Sequence, residues 1–278
     1  MQKVTSELAN SGFVLFLDDF HYIKEELREE IGRQIKVAAE KGVKIVTALV
    51  PHRSDDVVRS NPELRGRVAA VDLGYWSINH LSEIAAKGFG ALNIKMTEDL
   101  VRRLAEEAMG SPRLMQTICY CLCEVKEIFE TSPTLVEHTV SDTELEEALS
   151  RTSQFTDFSK MLSSLHSGPR QRGQERKEHK LKDGTTGDVY RAVLLAMRSK
   201  PISMSFAYDE ILKRVRQVCV SEPPVGSSIN SCLEQMNTIS ETMQPERPVL
   251  AWDGDNLDVI DPYFAFFLRC SDKIIKLS

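Results

Sequence analysis

The sequence lacks any long hydrophobic run, and no stretch approaches the about 20 consecutive apolar residues that a membrane-spanning helix needs. Its first residues, MQKVTSE, lack the apolar centre of a signal peptide. Positive charge is not in excess, since 35 lysines and arginines stand against 41 aspartates and glutamates and the formal net charge is −6. We therefore predict a cytoplasmic protein without a membrane segment, whose surface as a whole does not attract nucleic acid.

The sequence also lacks the cysteine spacing of a zinc site. Of its six cysteines, only Cys119, Cys121 and Cys123 lie close together, and on a helix Cys121 would face away from the other two. We predict reduced thiols in helical cores rather than metal ligands or a disulfide framework. No internal repeat or low-complexity tract is evident.

What the chain does contain is 278 residues, 42% of them hydrophobic, which is enough for about two domains with their own cores. Its most suggestive stretch is Phe13-Val14-Leu15-Phe16-Leu17-Asp18-Asp19. Five consecutive apolar residues predict a strand buried on both faces of a parallel sheet. Carboxylates at the end of such a strand lie where α/β sheets bind ligands, and phosphoryl transfer uses acids to hold hydrated Mg²⁺ and to orient water. Acidic turns after core strands are also common in proteins of any function.

A strand–helix–strand pattern follows. Apolar residues recur every three or four positions from Ile23 to Ala38, including Leu27, and predict an amphipathic helix that ends at Gly42. Residues 44–50 predict a second strand, which stops before Arg53, and residues 67–73 predict a third. Short connections of this kind predict parallel crossovers.

From Ser77 the pattern is helical. Ser77 is expected to cap a helix that Gly88 ends, and Thr97 to cap a second helix. Gly110 is expected to end that second helix, and Ser111 to cap a third that has Pro112 at its first position. Residues 131–140 are rich in turn formers, and residues 141–150 predict a further helix.

The remaining sequence contains a basic, polar segment followed by a second region of helical and strand patterns. Residues 167–183 are basic and polar without apolar periodicity, which predicts a flexible linker. Helices are then predicted at 186–198, 206–218 and 227–243, and the Asp253-Gly254 turn between two apolar runs predicts a β-hairpin. Three helices followed by a hairpin are the order of a winged helix.

Taken in order, these features resemble AAA+ and STAND nucleotide-dependent ATPases, most closely the archaeal and origin-recognition-like branch in which a winged helix follows the lid. The resemblance implies that Asp18 and Asp19 are the Walker B acids. Asp18 would hold the Mg²⁺ shell and Asp19, where many AAA+ members carry Glu, would orient the attacking water. Arg53 matches the first-sensor position, where an arginine is more similar to STAND proteins than to ordinary AAA+ proteins.

In the predicted lid, Arg113 matches the second sensor, and Gly110 and Pro112 just before it are similar to the Gly-x-Pro motif of the STAND lid. The resemblance implies that these three residues contact bound ATP. Arg65 and Arg67 match a possible arginine finger toward a neighbouring subunit, although both could equally be surface charges. The order Gly-Ser-Pro is also typical of a junction where one helix ends and the next begins, whatever the function of the protein.

The resemblance implies an architecture of four parts: a partial P-loop NTPase α/β sheet over residues 1–76, an all-α lid with a connecting helix over 77–166, a basic linker over 167–183, and a winged-helix (α+β) domain over 184–278. One departure is large, because Gly-x-x-x-x-Gly-Lys-Ser/Thr occurs nowhere in the sequence. Gly184-Thr185-Thr186-Gly187 lacks the lysine, and we interpret it as a helix cap. The chain is therefore expected to be the C-terminal part of an ATPase that lacks its own phosphate-binding loop.

The resulting hypothesis is a molecular-switch ATPase portion that uses ATP and Mg²⁺, moves its winged helix in response, and does not hydrolyse ATP alone. Protein partners or self-association are expected, and no membrane is involved. The alternative is a DNA-binding winged-helix regulator or a replication-initiator-like protein. That interpretation is weakened because residues 227–237 contain no Lys or Arg and include Glu234.

Overall fold

The computed structural model describes residues 2–18, 23, 25–48, 68–69, 71, 74–169, 176–220 and 222–277. The chain is a mixed α/β protein that divides into two compact units, Met1–Gly74 and Tyr75–Ser278.

The first unit contains helix α1 (Gln2–Leu8), strand β1 (Val14–Leu17), helix α2 (Glu25–Glu40) and strand β2 (Lys44–Thr47). The two strands pair in parallel, in a register that runs from Val14 opposite Lys44 to Leu17 opposite Thr47. The predicted strand–helix–strand pattern is therefore confirmed. The helix ends as predicted, because Gly42 adopts φ +88° and its carbonyl accepts a 3.1 Å hydrogen bond from the Asn10 amide.

The prediction that β1 is buried on both faces is wrong. Leu15 and Leu17 are half-buried on one face, whereas Val14 and Phe16 on the other face are 54% and 59% exposed. Among the described residues the sheet has only these two strands, and α1 and α2 lie on the Leu15 side. Leu27, predicted on the inner face of α2, is also exposed. The predicted strand at 67–73 falls mostly outside the described residues.

The second unit is larger and mainly helical. Its helices are α3 (Ile78–Ala91), α4 (Glu98–Glu107), α5 (Pro112–Val125), α6 (Asp142–Ser153), α7 (Ser159–Ser167), α8 (Val189–Arg198), α9 (Tyr208–Val218), α10 (Gly226–Met243), α11 (Pro262–Cys270) and α12 (Lys273–Lys276). Its strands are β3 (Ile94–Lys95), β4 (Val136–Glu137), β5 (His179–Lys180), β6 (Thr186–Gly187), β7 (Ser205–Ala207), β8 (Leu250–Trp252) and β9 (Asn256–Val259).

The predicted helix starts are confirmed. The side chains of Ser77, Thr97 and Ser111 each accept a hydrogen bond from a backbone N–H in the first turn of α3, α4 and α5. The prediction that Gly88 ends α3 is wrong, because the helix continues to Ala91 and buries Phe89 against the core. Packing of a large aromatic side chain outweighs the modest cost of a glycine inside a helix.

Three elements between Ile94 and Ser167 were not predicted, namely β3, β4 and helix α7. β3 and β4 pair in parallel, and β4 lies within the segment that the sequence indicated as turns. Their sequences are too short to carry a periodicity signal. Helix α7 buries Met161, Leu162 and Leu165.

The C-terminal segment contains the predicted helices and hairpin. β8 and β9 pair antiparallel across the Asp253–Asn256 turn, and β7 adds on the other side of β9, so that the sheet order is β7-β9-β8. The interpretation of residues 184–187 as a helix cap is wrong. Thr186–Gly187 form β6, and Asp188 caps α8 by accepting from the amides of Tyr190 and Arg191.

The described parts of the predicted linker, 167–169 and 176–183, differ from a flexible chain. Strand β5 pairs with β6, and Arg176 donates hydrogen bonds to the carbonyls of Ser167 and Pro169 at 2.8 and 2.7 Å. The Arg176 guanidinium also lies 4.3 Å above the ring of Tyr190. These contacts join α7 to α8 directly.

The lid helices and the C-terminal segment share one hydrophobic core. Helix α6 packs on α11, and α7 packs on both α8 and α10. At the centre, the ring of Phe158 lies edge-on to Phe264 and Phe267, with centroid separations of 5.6 and 5.9 Å. Moving these two parts of the second unit past one another would expose this core.

Candidate functional site

Asp18 of the first unit lies at the end of a strand, as the sequence predicted. Asp18 directly follows β1, is exposed, and stands at the carboxyl end of the parallel pair. The neighbouring strand continues beside it, because the Ala48 amide donates a 3.0 Å hydrogen bond to the Leu17 carbonyl. A carboxylate here can accept hydrogen bonds from hydrated Mg²⁺ without a desolvation penalty.

The first unit also contains a cavity of about 410 Å³ between the sheet and its helices. Asp18 lies at its wall, but the other walls are mostly apolar, with Leu15, Leu17, Ile31 and Ile35 among them. A nucleotide phosphate needs N–H donors or cations, and apolar side chains supply neither. The cavity is a loosely packed core rather than a phosphate site.

The other predicted residues of this half, Asp19, Arg53, Arg65 and Arg67, lie outside the described residues. Their roles therefore stay predictions.

The predicted lid motif, Gly110–Arg113, is a well-defined junction between α4 and α5. Gly110 has φ +78°, and its carbonyl accepts a 2.9 Å hydrogen bond from the Trp76 amide. A Cβ atom added at Gly110 would lie 2.4 Å from the Cβ of Tyr75, so only glycine fits. Ser111 then caps α5 with Pro112 at its start.

This junction presents Arg113 to solvent. The side chain is exposed in the first turn of α5 and makes no hydrogen bond or ion pair with the described part of the chain. An arginine held on a rigid helix start, with its guanidinium uncommitted, is available to contact an anion. Asp18 and Arg113 lie in different units.

Tyr75, which sequence reasoning missed, packs against this junction. Its hydroxyl donates a 2.9 Å hydrogen bond to the carbonyl of Ile260, just before α11. Burial, and to a lesser extent the negative charge of Asp261, raise the pKa of Tyr75, which keeps the hydroxyl protonated as a donor. The residue thus contacts both the lid junction and the C-terminal segment.

A buried ion pair was also missed. Glu107, the last residue of α4, receives hydrogen bonds from the guanidinium of Arg269 on α11 at 3.0, 3.1 and 3.3 Å. Each side chain is only 10% exposed. Glu107 and Arg269 each interrupt an apolar helix face, which indicates a buried charge that needs a partner. The sequence does not indicate that the two residues meet.

Burial raises the pKa of all six cysteines and so disfavours their thiolate form. All six are free, and burial raises the pKa of Cys119 and of Cys270 to about 12. Within the described residues, no group of three or more His, Cys, Asp or Glu side chains could hold a metal ion. The prediction of reduced core thiols is consistent with this environment. No helix in the described part of the chain is long and apolar enough to cross a membrane.

Comparisons with known proteins add little. No protein-family model matches the sequence, and no curated protein matches it. Two solved structures of RuvB from Thermotoga maritima are similar, one of them titled as the Holliday junction branch migration motor. Both are 13% identical and cover 92% of this chain and 71% of RuvB, with TM-scores of 0.38 and 0.36. A likeness at this level carries no functional argument.

Proposed function

We propose that this chain is the Walker B, lid and winged-helix portion of a STAND-type AAA+ switch ATPase, and that its ligands are ATP and Mg²⁺. The observation that carries the proposal is the parallel pairing of β1 with β2, with Asp18 at the carboxyl end of β1. This is the strand arrangement that the resemblance requires of a Walker B strand and its sensor strand. The junction at Gly110 gives further support, because it exposes an Arg113 side chain that has no partner among the described residues.

Each unit, taken by itself, presents a residue whose chemistry suits MgATP. In the first unit the carboxylate of Asp18 suits hydrated Mg²⁺, and in the second unit the exposed guanidinium of Arg113 suits a phosphate oxygen. Bound Mg²⁺ would supply charge neutralisation at the phosphates. The sequence offers no loop whose amides and lysine could hold the other phosphates, so we propose that a second polypeptide segment provides it.

The test is to purify the chain alone and together with the polypeptide encoded immediately upstream, and to measure binding of a fluorescent ATP analogue and phosphate release. The chain alone should show no turnover above background. In the complemented sample, Asp18→Ala should weaken Mg²⁺-dependent binding, and Asp19→Asn should preserve binding but slow hydrolysis. Arg113→Ala should reduce the preference for ATP over ADP.

Arg102→Ala is the matched control, because Arg102 is an exposed lid arginine already paired with Glu106 at 3.2 Å. It should leave nucleotide binding unchanged. Turnover by the chain alone that disappears in Asp19→Asn would overturn the need for a second segment. Binding that is indifferent to both Asp18→Ala and Arg113→Ala would overturn the proposed site.

For the winged helix we propose protein contacts rather than DNA. The sequence of helices α8, α9 and α10 followed by the β8–β9 hairpin, with β7 on the sheet, supports the winged-helix assignment. The exposed face of α10 includes Ser227, Ser228, Glu234, Gln235 and Glu241, and the hairpin turn exposes Asp253 and Asp255. A surface of neutral and acidic side chains repels a phosphate backbone.

Filter binding with a random duplex tests this alternative. Lys177, Lys180 and Lys182 are exposed and can give weak attraction that disappears between low salt and about 150 mM salt. Tight binding that persists at the higher salt concentration would favour the DNA-binding regulator instead.

A further inference from the structure

The Glu107 ion pair extends into a three-residue cluster, which we call the Glu107 network and define as Glu107, Arg198 and Arg269. Arg269 donates from Nη1 to the carbonyl of Arg198 at 2.6 Å, and Arg198 donates from Nε to the carbonyl of Arg269 at 3.1 Å. Arg198 is the last residue of α8, so the network joins the C-terminal ends of α4, α8 and α11. Cations near helix C-termini are favourable, which explains the two arginines.

The network lies next to the lid motif in sequence. Glu107 ends α4, and the amides of Met109 and Ser111 donate to carbonyls of that last turn, those of Glu106 and Ala108, at 3.3 and 2.9 Å. The position of Gly110–Arg113 therefore depends on where the last turn of α4 is held. Tyr75 holds the same junction from the other side through Gly110 and connects it to Ile260.

The Glu107–Arg269 ion pair is buried and bidentate. Separating the two side chains would leave two unpaired charges in the protein interior, and the three hydrogen bonds fix their relative orientation. A displacement of α4 that keeps these hydrogen bonds must therefore be accompanied by α11.

We propose that the Glu107 network is a positioning device that makes the lid motif Gly110–Arg113 and helix α11 respond as one body. Glu107 and Arg269 thus act as positioning residues for Arg113. The link between this coupling and ATP binding rests on the proposed function, whereas the coupling of the lid motif to α11 does not. The consequence is that a nucleotide-driven change at Arg113 moves the lid together with the C-terminal segment, not the winged helix against a fixed lid.

The experiment is hydrogen–deuterium exchange by mass spectrometry on the full chain without nucleotide. Glu107→Gln and Arg269→Gln should each raise the opening of amides at 109–115 by about tenfold. The decisive readout is remote: Arg269→Gln changes α11 but should accelerate exchange in the lid motif, and Glu107→Gln changes α4 but should accelerate exchange in α11. The β8–β9 hairpin should exchange as in the wild type.

Arg103→Gln is the matched control, because Arg103 lies on the same helix and pairs with Asp142 at 2.8 Å, but at the surface. It should leave exchange at 109–115 unchanged. Arg269→Lys keeps the charge and loses the bidentate geometry, so it should give a smaller effect in the same two segments, and it replaces Arg269→Gln if that variant does not fold.

Two results would overturn the proposal. One is acceleration confined to the helix that carries each substitution. The other is a uniform increase across residues 75–277, which would mean that the network contributes only to global stability. Neither result depends on nucleotide, so failure of the coupling and failure of the ATP site are distinguished.

Discussion

The hydroxyl of Tyr75 donates a 2.9 Å hydrogen bond to the carbonyl of Ile260, a residue 185 positions later in the sequence. The same tyrosine lies against Gly110, and the next residue, Trp76, donates its amide to the Gly110 carbonyl. The first residues of the second unit therefore contact both the lid junction and the start of α11. This contact is the basis of the first two predictions.

Tyr75→Phe removes the hydroxyl but keeps the ring against Gly110. We expect the free energy of unfolding to fall by about 1 kcal/mol, because Ile260 is a half-buried residue whose carbonyl loses a donor from a distant part of the chain. Urea unfolding measures the change. Tyr120→Phe is the control, since the Tyr120 hydroxyl bonds to Glu124 within one exposed helix face and its loss should cost little. Equal effects of the two substitutions would contradict the importance of the Ile260 contact.

Gly110→Ala should destabilise the second unit by more than the about 1 to 2 kcal/mol of left-handed strain alone, because the new Cβ would lie 2.4 Å from Tyr75. Gly254→Ala separates the two causes, since Gly254 has φ +104° but nothing lies within 4 Å of its Cβ position. Thermal unfolding compares them.

Gly88→Ala is expected to have the opposite sign. Gly88 lies inside α3 with open space around it, so alanine should stabilise the helix by about 0.5 to 1 kcal/mol. A loss of stability in this variant would mean that α3 ends earlier in solution, as the sequence alone predicted.

The capping box of α6 predicts a pH dependence. Hydrogen bonds from Lys126, and then from Ser141, lower the pKa of Glu144 from 4.5 to about 2. Because the pKa of Glu144 is lower in the folded state than in the unfolded state, its carboxylate stabilises the fold at pH values above 4.5. This contribution is lost as the pH falls from 4.5 toward 2. The unfolding free energies of wild type and Glu144→Gln should therefore converge over this range. Lys126→Met should raise the Glu144 midpoint seen by NMR titration, and an unchanged midpoint would contradict the assigned cause.

A chain cut between the lid and the C-terminal segment should stay together. The flexible linker that the sequence predicts at 167–183 would let cleavage there release the C-terminal segment. However, α6 packs on α11 and Glu107 pairs with Arg269 across that division. We expect a variant with an engineered protease site at 170–175 to co-elute as one particle after cleavage, with one unfolding transition for both pieces. Separation of the pieces on gel filtration would restore the two-domain interpretation.

The sequence by itself determined the local structure where a short-range rule applies. Ser77, Thr97 and Ser111 cap helices because the partner N–H groups lie within the same turn, and Asp253–Asn256 forms a hairpin turn because its geometry is local. The parallel pairing of β1 with β2, with Asp18 at its end, followed from apolar runs and connection lengths. Those inferences needed no knowledge of distant residues.

Only the tertiary structure decided which distant residues meet. Glu107 and Arg269 each looked like an isolated charge on an apolar helix face, and their pairing depends on how α4 and α11 pack. The exposure of Phe16 likewise depends on what covers the sheet, since a run of apolar residues predicts a strand but does not fix the number of its neighbours. Helix caps and turns are set by a few dihedral angles, whereas partners far apart in sequence are selected by the burial of the whole core.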